Sequence, residues 1–282
     1  MLRDVRSTSI GTRAVVIIGL GLIAGCDGAS PGAPSEGVEQ GIRNGTGAAR
    51  PNAGLEWLVE VKNLNDGTIC TGALMAPQWV LTAAHCVQGT PRGIVVLVPF
   101  ANDQDISVVQ EWNHPDFQPA NGNTPARYDA GMLLLSWPAN MPAHPGWRMP
   151  VHPFMPAVPT QFNGAAGDWL TAFGFGVATD AMKDDGTAGY ARYAALHVIG
   201  QTIWGEFVYE RNANGQIVAP GDSGGPSFLN TSNGWALTGI HQRSQWVNGV
   251  ITNSWDTSLG AGQSRTMANW ITDFTGALPI FY

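Results

Sequence analysis

The sequence contains few charged residues and few cysteines, and it has no basic run. Charged residues make up 12% of the 282 positions, the formal net charge is −7, and there are three cysteines. Binding to a phosphate backbone needs a basic surface, so nucleic acid is not an expected partner. Low charge combined with 36 glycines and 19 prolines favours short strands joined by tight turns. With 44% hydrophobic residues to fill a core, the composition predicts an all-β globular protein.

Residues 1–25 have the layout of an export signal. Three arginines precede an apolar run at 14–24, which is too short to cross a membrane as a helix. The small residues directly before Cys26 resemble a bacterial lipobox, in which this cysteine becomes the lipidated first residue of the mature chain. The alternative is a plain secretory signal with an unpaired cysteine. We expect an exported protein, either a lipoprotein of the cell envelope that touches the membrane only through its lipid, or a secreted one.

The segment at 26–41 is rich in small and polar residues and poor in apolar ones. Such a composition cannot bury enough apolar surface to fold by itself. The segment is therefore predicted to be a tether or a pro-segment.

The chemically most informative stretch is Pro-Gly-Asp-Ser-Gly-Gly-Pro at 220–226. Clusters of these residue types usually form tight surface turns. Three glycines within five residues also cost backbone entropy on folding, which indicates that the backbone conformation itself is needed. A loop of this kind can turn the N–H groups of Gly221 and Ser223 toward one point, as an oxyanion hole requires.

Two further stretches contain the partners that a nucleophilic serine needs. They are Leu-Thr-Ala-Ala-His-Cys at 81–86 and Arg-Tyr-Asp-Ala-Gly-Met-Leu-Leu-Leu at 127–135. His85, Asp129 and Ser223 follow one another in an order known for triads in which aspartate orients histidine and histidine deprotonates serine. A turn acid ahead of a buried strand is the other interpretation of Asp129.

The unaltered Thr-Ala-Ala-His-Cys and Gly-Asp-Ser-Gly-Gly-Pro motifs resemble those of the trypsin/chymotrypsin-like serine protease family. The aspartate motif is a recognisable variant, and the resemblance covers a domain assigned to 42–282. It implies two six-stranded antiparallel β-barrels, about 42–137 and about 166–262, with the active site in the cleft between them. The proline-rich segment within 138–165 is interpreted as the crossover, and 264–274 as a C-terminal helix.

The activity that the resemblance implies is that of a serine endopeptidase, which hydrolyses peptide bonds through an acyl-enzyme on Ser223. His85 is expected to act as general base and then as general acid, and Asp129 to orient it. The N–H groups of Gly221 and Ser223 are expected to form the oxyanion hole. No cofactor or metal is expected, and the partners are protein or peptide substrates. Two rivals are a non-catalytic binding protein on the same scaffold and an esterase with the same triad.

Two structural features of the family also have matching residues. Cys70 and Cys86 match the disulfide beside the catalytic histidine, whereas a pair of thiol ligands for a metal is the alternative. Ile42 matches the mature N-terminus, whose freed amine pairs with the aspartate before the serine, here Asp222. The resemblance therefore implies a zymogen cut between Gly41 and Ile42, although Gly41 differs from the basic residue usual before such a cut.

The residues expected to bind the substrate side chain depart from those of trypsin. Ile217 stands where enzymes that choose Lys or Arg have an acidic residue, and Val218 follows it. An apolar wall cannot pair with a cation, which predicts a preference for apolar or small residues. His241 matches a histidine of the glutamate-specific branch of the family, so a preference for Glu is the alternative. The whole expected set is Ile217, Val218, His241, Gln242, Arg243 and Ser244.

Overall fold

The computed structural model describes residues 42–48, 55–87, 91–100, 103–140, 167–231, 234–259 and 264–275. The predicted signal, the tether with Cys26 and almost all of the crossover lie outside these ranges. Within them, no helix is long and apolar enough to cross a membrane.

The first barrel is a closed sheet of six antiparallel strands. A short strand, β1 (Thr46–Gly47), precedes this barrel. The barrel strands are β2 (Leu58–Asn63), β3 (Ile69–Ala76), β4 (Trp79–Thr82), β5 (Ile94–Val98), β6 (Gln104–Asn113) and β7 (Gly131–Leu135). The barrel closes in the order β2-β3-β4-β7-β6-β5. Strand β5 shows the sequence pattern that builds it, because Ile94, Val96 and Val98 are buried and alternate with half-buried Val95 and Leu97.

The second barrel follows the crossover and is also antiparallel. Its strands are β8 (Trp169–Gly174), β9 (Arg192–Gln201), β10 (Glu206–Glu210), β11 (Pro226–Thr231), β12 (Gly234–Val247) and β13 (Val250–Ser258). They pair in the order β9-β10-β13-β12-β11-β8, and β8 pairs back to β9 to close the ring. Strands β12 and β13 are joined by Asn248 and Gly249, whose φ values of 53° and 79° are typical of a type I′ hairpin turn. The predicted fold of two six-stranded barrels is confirmed.

The C-terminal helix α1 (Ser264–Thr275) packs against the first barrel. Met267 and Ile271 are buried in the core of that barrel. On the same side of the helix, the ring of Phe274 lies 5.2 Å from that of Trp79 and 5.1 Å from that of Trp112. The predicted C-terminal helix is therefore present, and the apolar side chains along one of its faces pack in the core.

The two barrels meet at strand β3, where Thr71 contacts the serine loop. The Thr71 N–H donates to the carbonyl of Ser223 at 2.8 Å, and its hydroxyl donates to the carbonyl of Gly221 at 2.9 Å. Nearby, the Trp57 ring of the first barrel packs edge-on against Phe173 and Phe228 of the second, at 5.3 and 5.0 Å. These contacts fix the serine loop of the second barrel relative to the first.

Candidate active site

The structure pairs His85 directly with Asp129. The chain leaves β4 and enters a short 3₁₀ helix at Ala84–Val87, which includes His85. One carboxylate oxygen of Asp129 accepts the backbone N–H of His85 at 2.9 Å, and the other lies 2.6 Å from the ring Nδ1. Asp129 is fully buried, whereas the His85 side chain is 35% exposed. The two bonds hold the ring with Nδ1 toward the carboxylate, which leaves Nε2 for another partner.

The environment of His85 favours its protonated form. Burial by itself lowers the pKa of the ring, but the hydrogen bond and the negative charge of Asp129 outweigh it. The net effect raises the pKa of His85 above its ordinary value. The ring is thus a stronger base than an ordinary histidine.

Asp129 follows directly after an unusual backbone turn. Tyr128, directly before it, has a φ of 51°, a conformation that bulky residues seldom adopt. The Tyr128 ring stacks on His114 at 5.6 Å, and the His114 ring meets Trp270 of helix α1 edge-on at 5.2 Å. Aromatic packing from the helix thus supports the turn that places the carboxylate.

Ser223 lies in a loop whose shape requires glycine. Gly221 and Gly224 have φ values of 93° and 82°. A Cβ atom at Gly221 would lie 2.7 Å from the Gly176 backbone, and one at Gly224 would lie 2.1 Å from the Thr82 hydroxyl. Both the conformation and the space therefore exclude side chains at these two positions.

The loop leaves polar groups around Ser223 available. Among the described residues, neither the N–H of Gly221 nor that of Ser223 donates a hydrogen bond, and the Ser223 hydroxyl makes none. Cys86, next to His85, has its sulfur 3.7 Å from the Ser223 carbonyl oxygen. His85 and Ser223 are therefore in the same region, without a hydrogen bond between their side chains. Catalytic hydrogen bonds are often long before substrate binds.

Asp222 is buried behind the loop and bound by the backbone. Its carboxylate accepts the N–H groups of Gly176 and Ala219, each at 2.8 Å, and that of Ile42 at 3.2 Å. Ile42 is itself fully buried. Burial raises the pKa of Asp222 from 3.8 to about 6, while the charge of His241 and the backbone hydrogen bonds act in the opposite direction. In the unbroken chain the backbone N–H of Ile42 thus occupies the place beside Asp222 where the resemblance implies a freed amine.

A cavity of about 250 Å³ opens beside Ser223. Of the residues expected to bind substrate, the cavity lining includes Val218, Arg243 and Ser244, and the remaining lining residues are Ala219, Pro220, Ser223 and Trp246. The sequence interpretation missed Trp246, which carried no motif.

The other three expected substrate-binding residues are buried away from this cavity. Ile217 and His241 have no exposed surface, and Gln242 is 5% exposed. The Gln242 amide donates to the carbonyl of Ala126 at 3.2 Å and to the hydroxyl of Thr257 at 3.1 Å. Gln242 therefore forms hydrogen bonds with both barrels. It forms none with Asp129, the partner of His85.

Arg243 brings a positive charge to the cavity wall, and that charge is already paired. Its guanidinium donates to both carboxylate oxygens of Glu206, at 2.6 and 2.9 Å. It also lies over the ring of Trp255, with 4.7 Å between Cζ and the ring centroid. Bidentate pairing and ring stacking hold an arginine firmly in place.

A second cavity, of about 440 Å³, lies next to Gly221. Residues 66–69 of the first barrel and 182–184 of the second line it, together with Ala188 and Pro220. Ser223 thus has a cavity beside it, and its neighbour Gly221 borders another, as a site for an extended chain requires.

Cys70 and Cys86 form the predicted disulfide. In the described part of the chain, the one group of side chains close enough to share a metal ion is Cys70, His85 and Cys86. Both sulfurs are bonded to each other and cannot act as thiolate ligands. The metal alternative for these cysteines is therefore set aside.

Two closed barrels, a buried aspartate bound to a histidine, and a serine in a glycine loop define a chymotrypsin-type serine peptidase fold. The chain belongs to the trypsin family, because the family model described as Trypsin matches residues 42–250. A relative by sequence is human Serine protease 56, which is 35% identical over 79 residues. That match covers 26% of this chain and 13% of the human protein.

Proposed function

We propose that the protein is a serine endopeptidase that uses Ser223, His85 and Asp129. The observation that carries the proposal is the arrangement of these residues. Asp129 fixes His85 by two hydrogen bonds, and a loop that only glycines can form presents a partly exposed serine in the same region. In this mechanism Asp129 holds the ring in the tautomer that has a free Nε2.

The proposed chemistry proceeds in two stages. The Ser223 hydroxyl gives its proton to His85 Nε2 while its oxygen attacks the peptide carbonyl, and the resulting oxyanion is bound by the N–H groups of Gly221 and Ser223. His85 then donates the proton to the leaving amine, which departs as the acyl-enzyme forms. Water, deprotonated by His85, releases the acyl group. The two N–H groups are suited to this role because they have no other acceptor among the described residues.

We further propose that cleavage between Gly41 and Ile42 activates the protein. Ile42 has a φ of 38°, which is strained for a β-branched residue. The φ torsion of Ile42 is defined by the carbonyl carbon of Gly41. Cutting the Gly41–Ile42 peptide bond therefore removes this strained torsion. Arg43 anchors the segment, because its Nε lies 2.9 Å from Asp180 and its backbone N–H donates to the carbonyl of Ile217 at 3.0 Å. A freed amine in the place of the Ile42 N–H would pair with Asp222.

For substrate preference, we propose cleavage after apolar or small residues. The cavity beside Ser223 is modest in volume, and its lining includes the apolar Val218 and Trp246 and no carboxylate. A Lys or Arg side chain would be buried there without a carboxylate in the lining to pair with it. Glutamate is the second candidate, because Arg243 and the Ser244 hydroxyl are at the wall.

Peptides that differ only in the residue before the scissile bond test this preference. The highest kcat/KM is expected after Ala, Val or Leu. If Glu gives the highest value, the second candidate replaces the first. The highest value after Lys or Arg would contradict both.

The decisive test of the catalytic proposal is labelling with an organophosphonate, which reacts with activated serines. The wild-type protein, cut before Ile42, is expected to be labelled once, at Ser223, and the cut Ser223→Ala variant to be unlabelled. A matched control is Ser107→Ala, at an exposed position of β6, which should be labelled like the wild type. Peptide and ester substrates then separate an endopeptidase from an esterase. A folded protein with no labelling would favour the non-catalytic binding protein.

Export and lipidation are proposals from the sequence, since Cys26 lies outside the described residues. The disulfide supports export, because such bonds persist in oxidising compartments. Mass spectrometry of the mature protein tests both points. A chain that begins at a lipid-modified Cys26 is the expected form before activation, and an uncut chain that begins at an unmodified residue upstream of Ile42 would contradict the lipoprotein.

A further inference from the structure

A second buried aspartate–histidine pair lies behind the serine loop. Asp256 on β13 faces the Nδ1 atom of His241 on β12 at 2.7 Å. The other oxygen of Asp256 accepts the hydroxyls of Ser227 at 2.5 Å and Tyr209 at 2.8 Å. All four side chains have no exposed surface. An ionised carboxylate at such depth is costly unless a positive charge compensates it.

The contacts of the His241 ring indicate that it supplies this positive charge. Nδ1 faces the carboxylate of Asp256, whereas Nε2 is buried without a hydrogen bond to any described residue, and the backbone carbonyl of Phe173 contributes only weakly to raising the pKa of the ring. Burial by itself lowers the pKa of His241, but Asp256, followed by Asp222, raises it to a net value above the ordinary one. Tyr209 stays protonated, because burial and Asp256 raise its pKa well above the usual value. Asp256, Asp222 and Tyr209 are the titratable groups that face this ring or its partner.

The backbone of His241 holds the two glycines that follow the nucleophile. Its carbonyl accepts the N–H of Gly224, and its own N–H donates to the carbonyl of Gly225, both at 2.8 Å. The ring also lies against the loop, since a Cβ atom at Gly225 would be 2.9 Å from the His241 Cδ2 atom. A displaced His241 ring would therefore move the loop that contains Ser223.

His241 also acts on the residue before the nucleophile. The charge of His241 lowers the pKa of Asp222, and the charge of Asp222 raises that of His241. The charge of His241 therefore acts on Asp222 whether or not the bond before Ile42 is cut. The amine of Ile42 would add a second positive charge only after the cut. The ionised form of Asp222 accepts the backbone bonds from Gly176 and Ala219 that shape the oxyanion loop.

We propose that His241 is a positioning residue of the catalytic site: as a buried imidazolium between Asp256 and Asp222, it keeps the loop of Ser223 in its active shape. This inference rests on the proposed function. It assigns the histidine a role in turnover of every substrate, in contrast to a contact with a glutamate side chain. The full burial of the ring and its bond to Asp256 support this assignment.

The test compares His241→Gln with the double variant His241→Gln/Asp256→Asn. The single variant leaves Asp256 without its cation, so kcat should fall about 10- to 100-fold on all substrates, as small displacements of catalytic groups do. The acid limb of kcat, which protonation of the general base His85 also shapes, should become steeper and move to higher pH, because Asp222 loses the charge that lowers its pKa. The double variant replaces the ion pair by two amides, so thermal stability should recover while kcat and the shifted acid limb should not.

Recovery of kcat together with stability would make the pair merely structural and overturn the proposal. A loss confined to substrates with Glu before the scissile bond would instead assign His241 to substrate binding. The matched control is His197→Gln on β9, whose ring packs against Trp169 outside the site. It should leave the rate and the pH profile unchanged.

A measurement on the wild type keeps this inference separate from the proposed function. In ¹⁵N-labelled protein at pH 7, both ring nitrogens of His241 should give signals of a protonated imidazolium. A neutral ring would overturn the role of His241 even in an active enzyme. Failure of organophosphonate labelling would overturn the proposed function, whatever the state of the ring.

Discussion

Replacing Asp222 by asparagine should show whether a positive charge offsets the burial of the Asp222 carboxylate in the uncut chain or only after the cut before Ile42. In the unbroken chain the pKa of Asp222 is raised from 3.8 to about 6, mainly because the carboxylate is buried. Each pKa unit corresponds to about 1.4 kcal/mol, so ionising Asp222 costs the folded state about 3 kcal/mol relative to the unfolded chain. Between these two pKa values the folded state binds more protons than the unfolded state. The contribution of Asp222 to stability therefore falls as the pH rises through this window.

Asparagine has nearly the same shape but does not titrate. In the uncut chain, the free energy of unfolding of the parent should fall by about 3 kcal/mol relative to Asp222→Asn between pH 4 and pH 7. After a cut before Ile42, the new amine pairs with the carboxylate and lowers its pKa, so the slope should flatten. At pH 7, Asp222→Asn in the cut chain should then cost about 3 to 5 kcal/mol, as expected for breaking a buried ion pair.

The measurement is urea denaturation from pH 4 to pH 8 in a Ser223→Ala background, which prevents self-digestion. The cut chain is made by placing the recognition sequence of a specific protease directly before Ile42. An Asp-to-Asn difference that does not change with pH in the uncut chain would refute the argument from burial. Equal slopes in the cut and uncut chains would refute the pairing of the amine with Asp222.

Three further predictions concern the triad and the disulfide. Ser223→Ala and His85→Ala should each reduce kcat to a similar residual level, and the double variant should be no slower, because the residues act as a unit; additive losses would contradict their assignment. Asp129→Asn should lower kcat by about 10⁴ by favouring the wrong tautomer of the ring, and a small effect would mean that another group orients His85. Replacing Cys70 and Cys86 by alanine should lower the free energy of unfolding by about 3 kcal/mol in denaturant titrations, whereas an unchanged midpoint would show that packing alone sets stability there.

Composition and local motifs were sufficient to predict the fold class and the architecture. The composition predicted an all-β protein of short strands, and the resemblance carried by the motifs implied two barrels, which the structure confirms. The glycines around Ser223 predicted a loop of special shape, and the φ values of Gly221 and Gly224 confirm it. The pairing of Cys70 with Cys86, which the family resemblance implied, is also confirmed, because the structure contains this disulfide.

On strand β12, the residues that the resemblance assigned to substrate binding divide between the core and the cavity. The register with β13 shifts between His241 and Arg243, so Gln242 occupies a bulge. Both His241 and Gln242 are buried as a result, and the residues at the cavity start at Arg243. A bulge depends on the partner strand, which the sequence of one strand does not specify.

The sequence by itself determined the side chains of the candidate site: a serine in a glycine loop, a histidine after a strand and an aspartate before another. These signatures are local, because each motif needs its own backbone shape wherever it lies in the fold. Only the tertiary structure decided which distant groups surround them. The partners Asp256 for His241 and Glu206 for Arg243 lie on other strands, and barrel closure and strand register bring them together. The packing of the whole barrel determines which counter-ion lies beside a buried charge, and a short stretch of sequence does not specify it.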